Sequence, residues 1–320
     1  MTWDHLHEAC ALMAGTAGQG VSFGGAVIAA ANTIVGNGPR TVNEAAIALA
    51  QNFSGQSVMS ASAAFNYLVT PDAASKTLFN AFSTAPTGAR AIVIDNAVIK
   101  GMQADGNWTA MDVIYLLAAH SEQAGRLNIK APSTFVLTVG ASAPAFVVNR
   151  GIDYDGIDDW DDTGFNPSTS GGSQSQNSMS IGHWSLTAGQ LGASVSGQFD
   201  GTDGTTLLSR DSLDRMQMRA NQASPLVSSN GTVTSGLGLF YSNRTLSNAV
   251  QGGRNGVQIV SGSNASTMPN SITLSIGTAT RTTFSAIRIA AFFYGASRTA
   301  TQHLQIYNRL LSYMRAVGAV

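Results

Sequence analysis

Residues 287–295 read IRIAAFFYG, seven apolar residues of nine, with one charge and a terminal glycine. A run of this length, rich in Ile and aromatics, predicts a buried β-strand rather than a helix. Eight similar runs precede it: FVLTV (135–139), AFVVN (145–149), SMSIGHWSL (178–186), TTLLS (205–209), RMQMRA (215–220), GLGLFYS (236–242), GVQIVS (256–261) and SITLSIG (271–277). They are separated by Gly, Asn, Asp and Ser, with loops expected at 165–177 and 221–235. Many short strands at such spacing predict an antiparallel β-sandwich. After the last strand, a helix is expected over 299–316, with Leu304, Tyr307, Leu310, Leu311 and Met314 on one stripe.

Upstream the pattern changes. Thr70-Pro71-Asp72 has the chemistry of a helix start, and Leu78 and Phe82 then share a face. A second start at Thr87 leads through Ile92, Ile99 and Met102 to Gly106. A third helix is expected from Thr109 through Met111, Val113, Ile114 and Leu117. The expected class is therefore α+β multidomain: a small helical part joined to an antiparallel sandwich with a C-terminal helix. Its segments are a docking arm over 1–69, a helical linker bundle over 70–131 and the sandwich over 132–320.

The arm is expected from charge. Among 320 residues only 35 are Asp, Glu, Lys or Arg, or 11%, against about 25% in ordinary soluble domains. Residues 1–69 hold four of them, Asp4, Glu8, Arg40 and Glu44, and 9–39 hold none. Gly15, Gly18, Gly20, Gly24, Gly25, Gly36 and Gly38 give this stretch the look of a looped arm lying against other subunits.

The same composition excludes several functions. A net charge of -1 lacks the Lys and Arg excess that phosphate binding needs, so no nucleic-acid partner is expected. One cysteine, Cys10, rules out an internal disulfide framework. The opening lacks the basic flank of a secretory signal, and the most apolar stretch, 21–36, is shorter than the ~20 residues of a membrane span.

Three groups of residues resemble known families. Asp155-Gly156 with Trp160, the Gly253-Arg254-Asn255-Gly256-Val257 hairpin and the closing strand with its capped helix resemble a concanavalin A-like, laminin-G-like jelly roll. A longer pattern over 71–320 is similar to tailed-bacteriophage virion proteins that join a helical region to such a sandwich. It comprises Gly106-Asn107-Trp108, Met111-Asp112, Tyr115 to His120, Asn128, Arg150-Gly151, Asp162 to Pro167, Gln302-His303, Tyr313 and Val317-Gly318. This resemblance implies a virion structural protein, a capsid decoration, head fibre or tail component assembled in the host cytoplasm. Its implied partners are other virion proteins and copies of itself. The alternative is a carbohydrate-binding module that recognises host surface glycans.

Candidate sites follow from residue chemistry. Six carboxylates crowd IDYDGIDDWDD (152–162), and Asp153, Asp155, Asp158 and Asp159 have the oxygen ligands a calcium ion takes, although the EF-hand spacing is absent. A solvated turn and a subunit contact are the competing readings. For a sugar, Tyr241, Asn243, Arg244, Asn248, Gln251 and Trp160 offer aromatic and amide contacts. The competing reading makes Trp160 and Trp184 inward-facing core residues, and for Trp184 that is the expected one. No catalytic residue is expected: paired glutamates are missing, since 132–320 contains no Glu, and a glycoside hydrolase is a distant third reading. Gly20-Val21-Ser22-Phe23-Gly24 matches a nucleophile elbow without the strand that should precede it. The five histidines are expected to be packing or surface residues, and no nucleotide-binding motif occurs.

Overall fold

The computed structural model describes all residues except 1, 15–18, 37 and 39. The chain forms two compact units, one made of Met1–Trp108 with Gln305–Val320 and the other of Thr109–Leu304. The segmentation expected from composition follows other lines, because it tracks charge density rather than contacts.

The helical unit begins with α1 (Trp3–Met13), α2 (Phe23–Ile34), α3 (Val42–Ser54) and α4 (Ala61–Val69), so the expected looped arm is instead four helices. Local capping explains them. Thr2 and His5 form a capping box on α1, Thr41 and Glu44 another on α3, and Ser60 caps α4. Ser22, the elbow-like serine, accepts from Gly25 N as the cap of α2. Gly24 and Gly25 thus lie within α2, while Gly15 and Gly18 fall outside the described residues. The small side chains Ala26, Ala30, Ala31, Ala45, Ala46 and Ala50 are fully buried, which lets these helices pack closely without charge.

Next come α5 (Ala73–Ala81), capped by Asp72 rather than Thr70, and α6 (Gly88–Val93), capped by Thr87 as expected. From α6 the chain runs through a wide π-helical stretch, Ile94–Lys100, into α7 (Gly101–Ala104). All seven residues of the π stretch are buried.

The second unit is the sandwich, and its fold class agrees with the sequence expectation. Its first strand, β1 (Met111–Tyr115), replaces the third expected helix. The run MDVIYLL is apolar on both strand faces and β-branched at its centre, a pattern that helical spacing cannot distinguish from a buried strand. A short helix, α8 (Glu122–Arg126), follows. Then come β2 (Thr138–Val139), β3 (Ala145–Val147), β4 (Gly151–Asp155), β5 (Asp161–Asp162), β6 (Met179–Ser185), β7 (Ser196–Phe199), β8 (Gly204–Leu208) and β9 (Gln217–Gln222). The series ends with β10 (Leu226–Val227), β11 (Gly238–Leu246), β12 (Ala249–Arg254), β13 (Val257–Gly262), β14 (Ser275–Ile276) and β15 (Ala286–Gly295). One sheet has the order β13-β12-β11-β6-β15-β4-β3, with β1 also paired to β15, and the other β10-β9-β8-β7-β14-β5-β2.

Phe240, Phe292, Tyr294, Ile181 and Ile289 of the first sheet and Leu207, Met218 and Ile276 of the second lie in one buried core. Asn255 and Gly256, with φ of 52° and 81°, make the tight β12–β13 turn that Asn-Gly specifies. Gly151, at φ 108°, brings β4 so close to β15 that an added Cβ would lie 2.1 Å from Ile289 O. Gly151→Ala is therefore expected to cost about 2 kcal/mol or more in a urea titration. A loss below about 0.5 kcal/mol would contradict that register.

The last helix, α9 (Ala300–Ala316), lies where expected but rotated: Leu304 is 45% exposed, while His303, Ile306, Leu310, Tyr313 and Met314 are buried. Among the described residues, no helix is long and apolar enough to cross a membrane.

Candidate functional site

Three of the residues expected to meet a sugar are interior. Tyr241, Asn243 and Arg244 sit on β11, a central strand with both neighbours paired, and all three are buried. The His303 ring stacks on Tyr241 at 3.7 Å and 12°, and burial pushes the Tyr241 phenol up to about 12. The Asn243 amide donates to Arg298 O at 2.9 Å and accepts from Arg298 N at 2.8 Å. Residues 298–303 therefore roof this face of the sheet. Arg244 points the other way. Its guanidinium donates to the carbonyls of Ala220, Leu246, Ser247 and Asn264 and to Gln222 Oε1, joining β11 to β9 across the sandwich. A fully buried guanidinium with five internal acceptors is a structural clip, so this part of the glycan expectation is corrected.

Asn248 is exposed and Gln251 half-buried. With Thr245 and Ser261 they line a shallow groove of about 170 Å³ at the β11–β12 hairpin.

The acidic stretch does not converge on a cation. Asp153 pairs with Arg288 at 2.6 Å, and Asp155 accepts from Ile157 N at 2.7 Å. Asp158 is exposed, whereas Asp159 is buried and accepts twice from Asp155 N, at 2.9 and 3.1 Å. Burial, with the Asp155 and Asp158 charges behind it, pushes Asp159 up to about 6. Asp161 is held by Arg126 and by Tyr154 Oη at 2.9 Å, and Asp162 by Arg281 at 3.0 Å. Among the described residues, no three His, Cys, Asp or Glu side chains are placed to hold a metal ion. The calcium reading is corrected accordingly: Asp153, Asp161 and Asp162 are each taken by a different arginine, and Asp155 and Asp159 by neighbouring backbone N–H groups.

Trp160 stands where these strands meet. It is partly exposed, the Arg281 guanidinium lies 4.5 Å over its ring, and Gly140 packs so tightly against it that a Cβ would come within 2.1 Å. Arg281 is pinned in turn by Asp162 and by Thr273 O at 2.9 Å, and its φ of 60° is left-handed. A bulky residue held there by side-chain bonds is a strained position, of the kind that accompanies functional surfaces. Nearby, Val139 on β2, opposite Asp161, is 43% exposed and Ile157 73% exposed. The result is a preformed indole–guanidinium surface with apolar flanks, the chemistry enriched at binding hot spots. Arg281 carried no sequence signal. Trp184 is buried, as expected, but on the face opposite His183 rather than in the core cluster.

No family model matches the sequence, and no curated protein does. Among solved structures, domain 4 of AbnA, a GH43 extracellular arabinanase from Geobacillus stearothermophilus in complex with arabinotriose, is 16% identical over 61% of this chain and 97% of that chain, with a TM-score of 0.38. The botulinum neurotoxin serotype D binding domain is 10% identical over 62% and 52%, at 0.42. Trypanosoma rangeli sialidase is 9% identical over 69% and 40%, at 0.45. The chain thus spans about half of the botulinum chain and two fifths of the sialidase chain. Nothing about the site follows from such distant likenesses.

Proposed function

We propose that this chain is a non-catalytic binding and display protein, whose sandwich presents the Trp160–Arg281 surface and whose helical unit attaches it to an assembly. The observation that carries the reading is the contrast in how polar groups are used. Asp153, Asp155, Asp159, Asp161 and Asp162 and the imidazole of His183 are engaged in internal bonds, whereas the partly exposed Trp160 indole meets the stacked Arg281 guanidinium and Gly140. On the sequence resemblance, the assembly is a tailed-phage particle. Attachment is supported by Trp3, half exposed and in ring contact with Phe65 at 4.9 Å and Phe23 at 6.2 Å, on a unit poor in charge.

Full-length variants test both halves. Trp3→Ser is expected to reduce co-sedimentation with particles at least about tenfold, while Trp160→Ala leaves co-sedimentation intact and lowers adsorption to host cells. Undiminished co-sedimentation of Trp3→Ser would remove the attachment reading.

The second reading, a glycan-binding adsorption module, is favoured by the polar groove at Asn248 and Gln251. Its signature would be glycan-array binding by the full chain that Asn248→Ala abolishes.

A further inference from the structure

Four polar side chains, Gln305, Asn308, Ser312 and Arg315, recur at spacings of three, four and three along α9 and so share one face. They line a groove of about 380 Å³ within the helical unit, together with Ile34 and Val35 at the end of α2. Arg309, buried, also lines it. The Arg309 guanidinium grips Asp105 with two bonds, at 2.9 and 3.0 Å, and donates to Asn52 O at 3.0 Å. Its stem lies against Gly101, where a Cβ would come within 2.7 Å of Cδ. Arg309 and Asp105 therefore cancel in charge, and the fork is fully occupied.

The rim is different. Arg315 is exposed and has no carboxylate within ion-pair distance among the described residues. The carboxamides of Gln305 and Asn308 have no hydrogen-bond partner there either, and the Ser312 hydroxyl, which donates to Asn308 O at 3.0 Å, keeps its acceptor capacity. A cation in the last turn of a helix is explained by the helix dipole alone. Along the same groove lie Asn308, exposed, and Gln305 and Ser312, half-buried, so that amide, hydroxyl and guanidinium are presented together to whatever enters it. Amides offer donor and acceptor together, which suits hydroxyl groups, and a guanidinium suits an oxyanion.

We propose that this groove binds a small hydroxyl-bearing oxyanion of single-ring size, the chemistry shared by sugar acids and sugar phosphates, with Arg315 on the anionic group and Asn308 and Gln305 on the hydroxyls. The site is separate from the Trp160 surface and does not depend on the display reading.

Titration calorimetry on the full chain with D-glucuronate, glucose 6-phosphate, inorganic phosphate and glucose tests it. At least one anionic sugar is expected to bind with a Kd of about 1 mM, with glucose and phosphate each at least about tenfold weaker. Which anionic sugar binds more tightly tells carboxylate from phosphate preference. Arg315→Gln and Asn308→Ala, both at surface positions and checked for an unchanged thermal midpoint, should each weaken that binding about tenfold. Absence of binding by both anionic sugars overturns the proposal, as does binding that neither variant weakens. Phosphate alone binding as tightly as glucose 6-phosphate would remove the role given to the carboxamides. Glucose binding as tightly as the anionic sugars would remove that of Arg315.

Discussion

Replacing Lys100 by Met is expected to destabilise the helical unit by about 3–5 kcal/mol, read as a fall in the urea midpoint with the slope unchanged. Lys100 and Asp95 are both buried in the π stretch, with Nζ 2.7 Å from Oδ2. Each also holds a different helix end. Lys100 Nζ donates to Tyr67 O and Thr70 O, both at 2.7 Å, which are C-terminal carbonyls of α4. Asp95 Oδ1 accepts from Asp72 N at 2.8 Å and Ser75 Oγ at 2.6 Å, at the start of α5. Burial pulls the Lys100 pKa down and the Asp95 charge opposes it. Methionine matches the length of the stem but leaves a buried carboxylate without its cation and two carbonyls without a donor. The double variant Lys100→Met, Asp95→Ala should lose less than the sum of the two single losses, because the stranded charge is gone. A loss below about 1 kcal/mol for Lys100→Met would mean that the corner between α4 and α5 is held by apolar packing alone.

This pair shows why parts of the molecule could be read from sequence and others could not. The start of α6 at Thr87, the turn at Asn255-Gly256 and strand β15 are local events, written in neighbouring residues. The Lys100 cap depends on carbonyls 30 and 33 residues away, and no local pattern announces it. Asn243 and Arg244 misled for the same reason. Polar residues near a hairpin read as accessible, but their partners at 298, 220 and 264 bury them. Trp160 is a candidate from residue type and position alone. Its companion Arg281 lies 121 positions further on and ends a run, 255–280, with no charged residue, so the sequence offered nothing to link the two. The expected apolar stripe of α9 shares Leu310 and Met314 with the buried face but takes Leu304 where His303 is inside, so nothing in that pattern marks Gln305, Asn308, Ser312 and Arg315 as a group.

Between pH 6.5 and 4.5 the two buried imidazoles should weaken the fold, well before its carboxylates are exhausted. His183 is wholly buried between Ser196 Oγ at 2.8 Å and Ser209 Oγ at 2.5 Å, and burial pushes its ring down to about 3. His303, stacked under Tyr241 with neither ring nitrogen bonded among the described residues, is held well below its usual range by burial and by the Arg298 charge. Both rings stay neutral in the folded chain at pH values where the unfolded chain takes up protons, near 6.5 and below. Stability is therefore complete above that value and falls with pH, by about 2.3 kcal/mol for His183 over this interval, with His303 acting in the same direction. Asp159 acts in the opposite sense. Its folded value of about 6 exceeds the ordinary 3.8, so the folded state takes up a proton first and recovers about 2 kcal/mol as pH falls. Urea titrations at pH 6.5, 5.5 and 4.5 measure the net slope. His183→Asn keeps a hydrogen-bonding side chain between the two serines and cannot titrate, so it should lose about 2.3 kcal/mol less than the parent over the same interval. Equal slopes for parent and variant would show that His183 is protonated within the folded sandwich, and would remove the dry polar contact assigned to it.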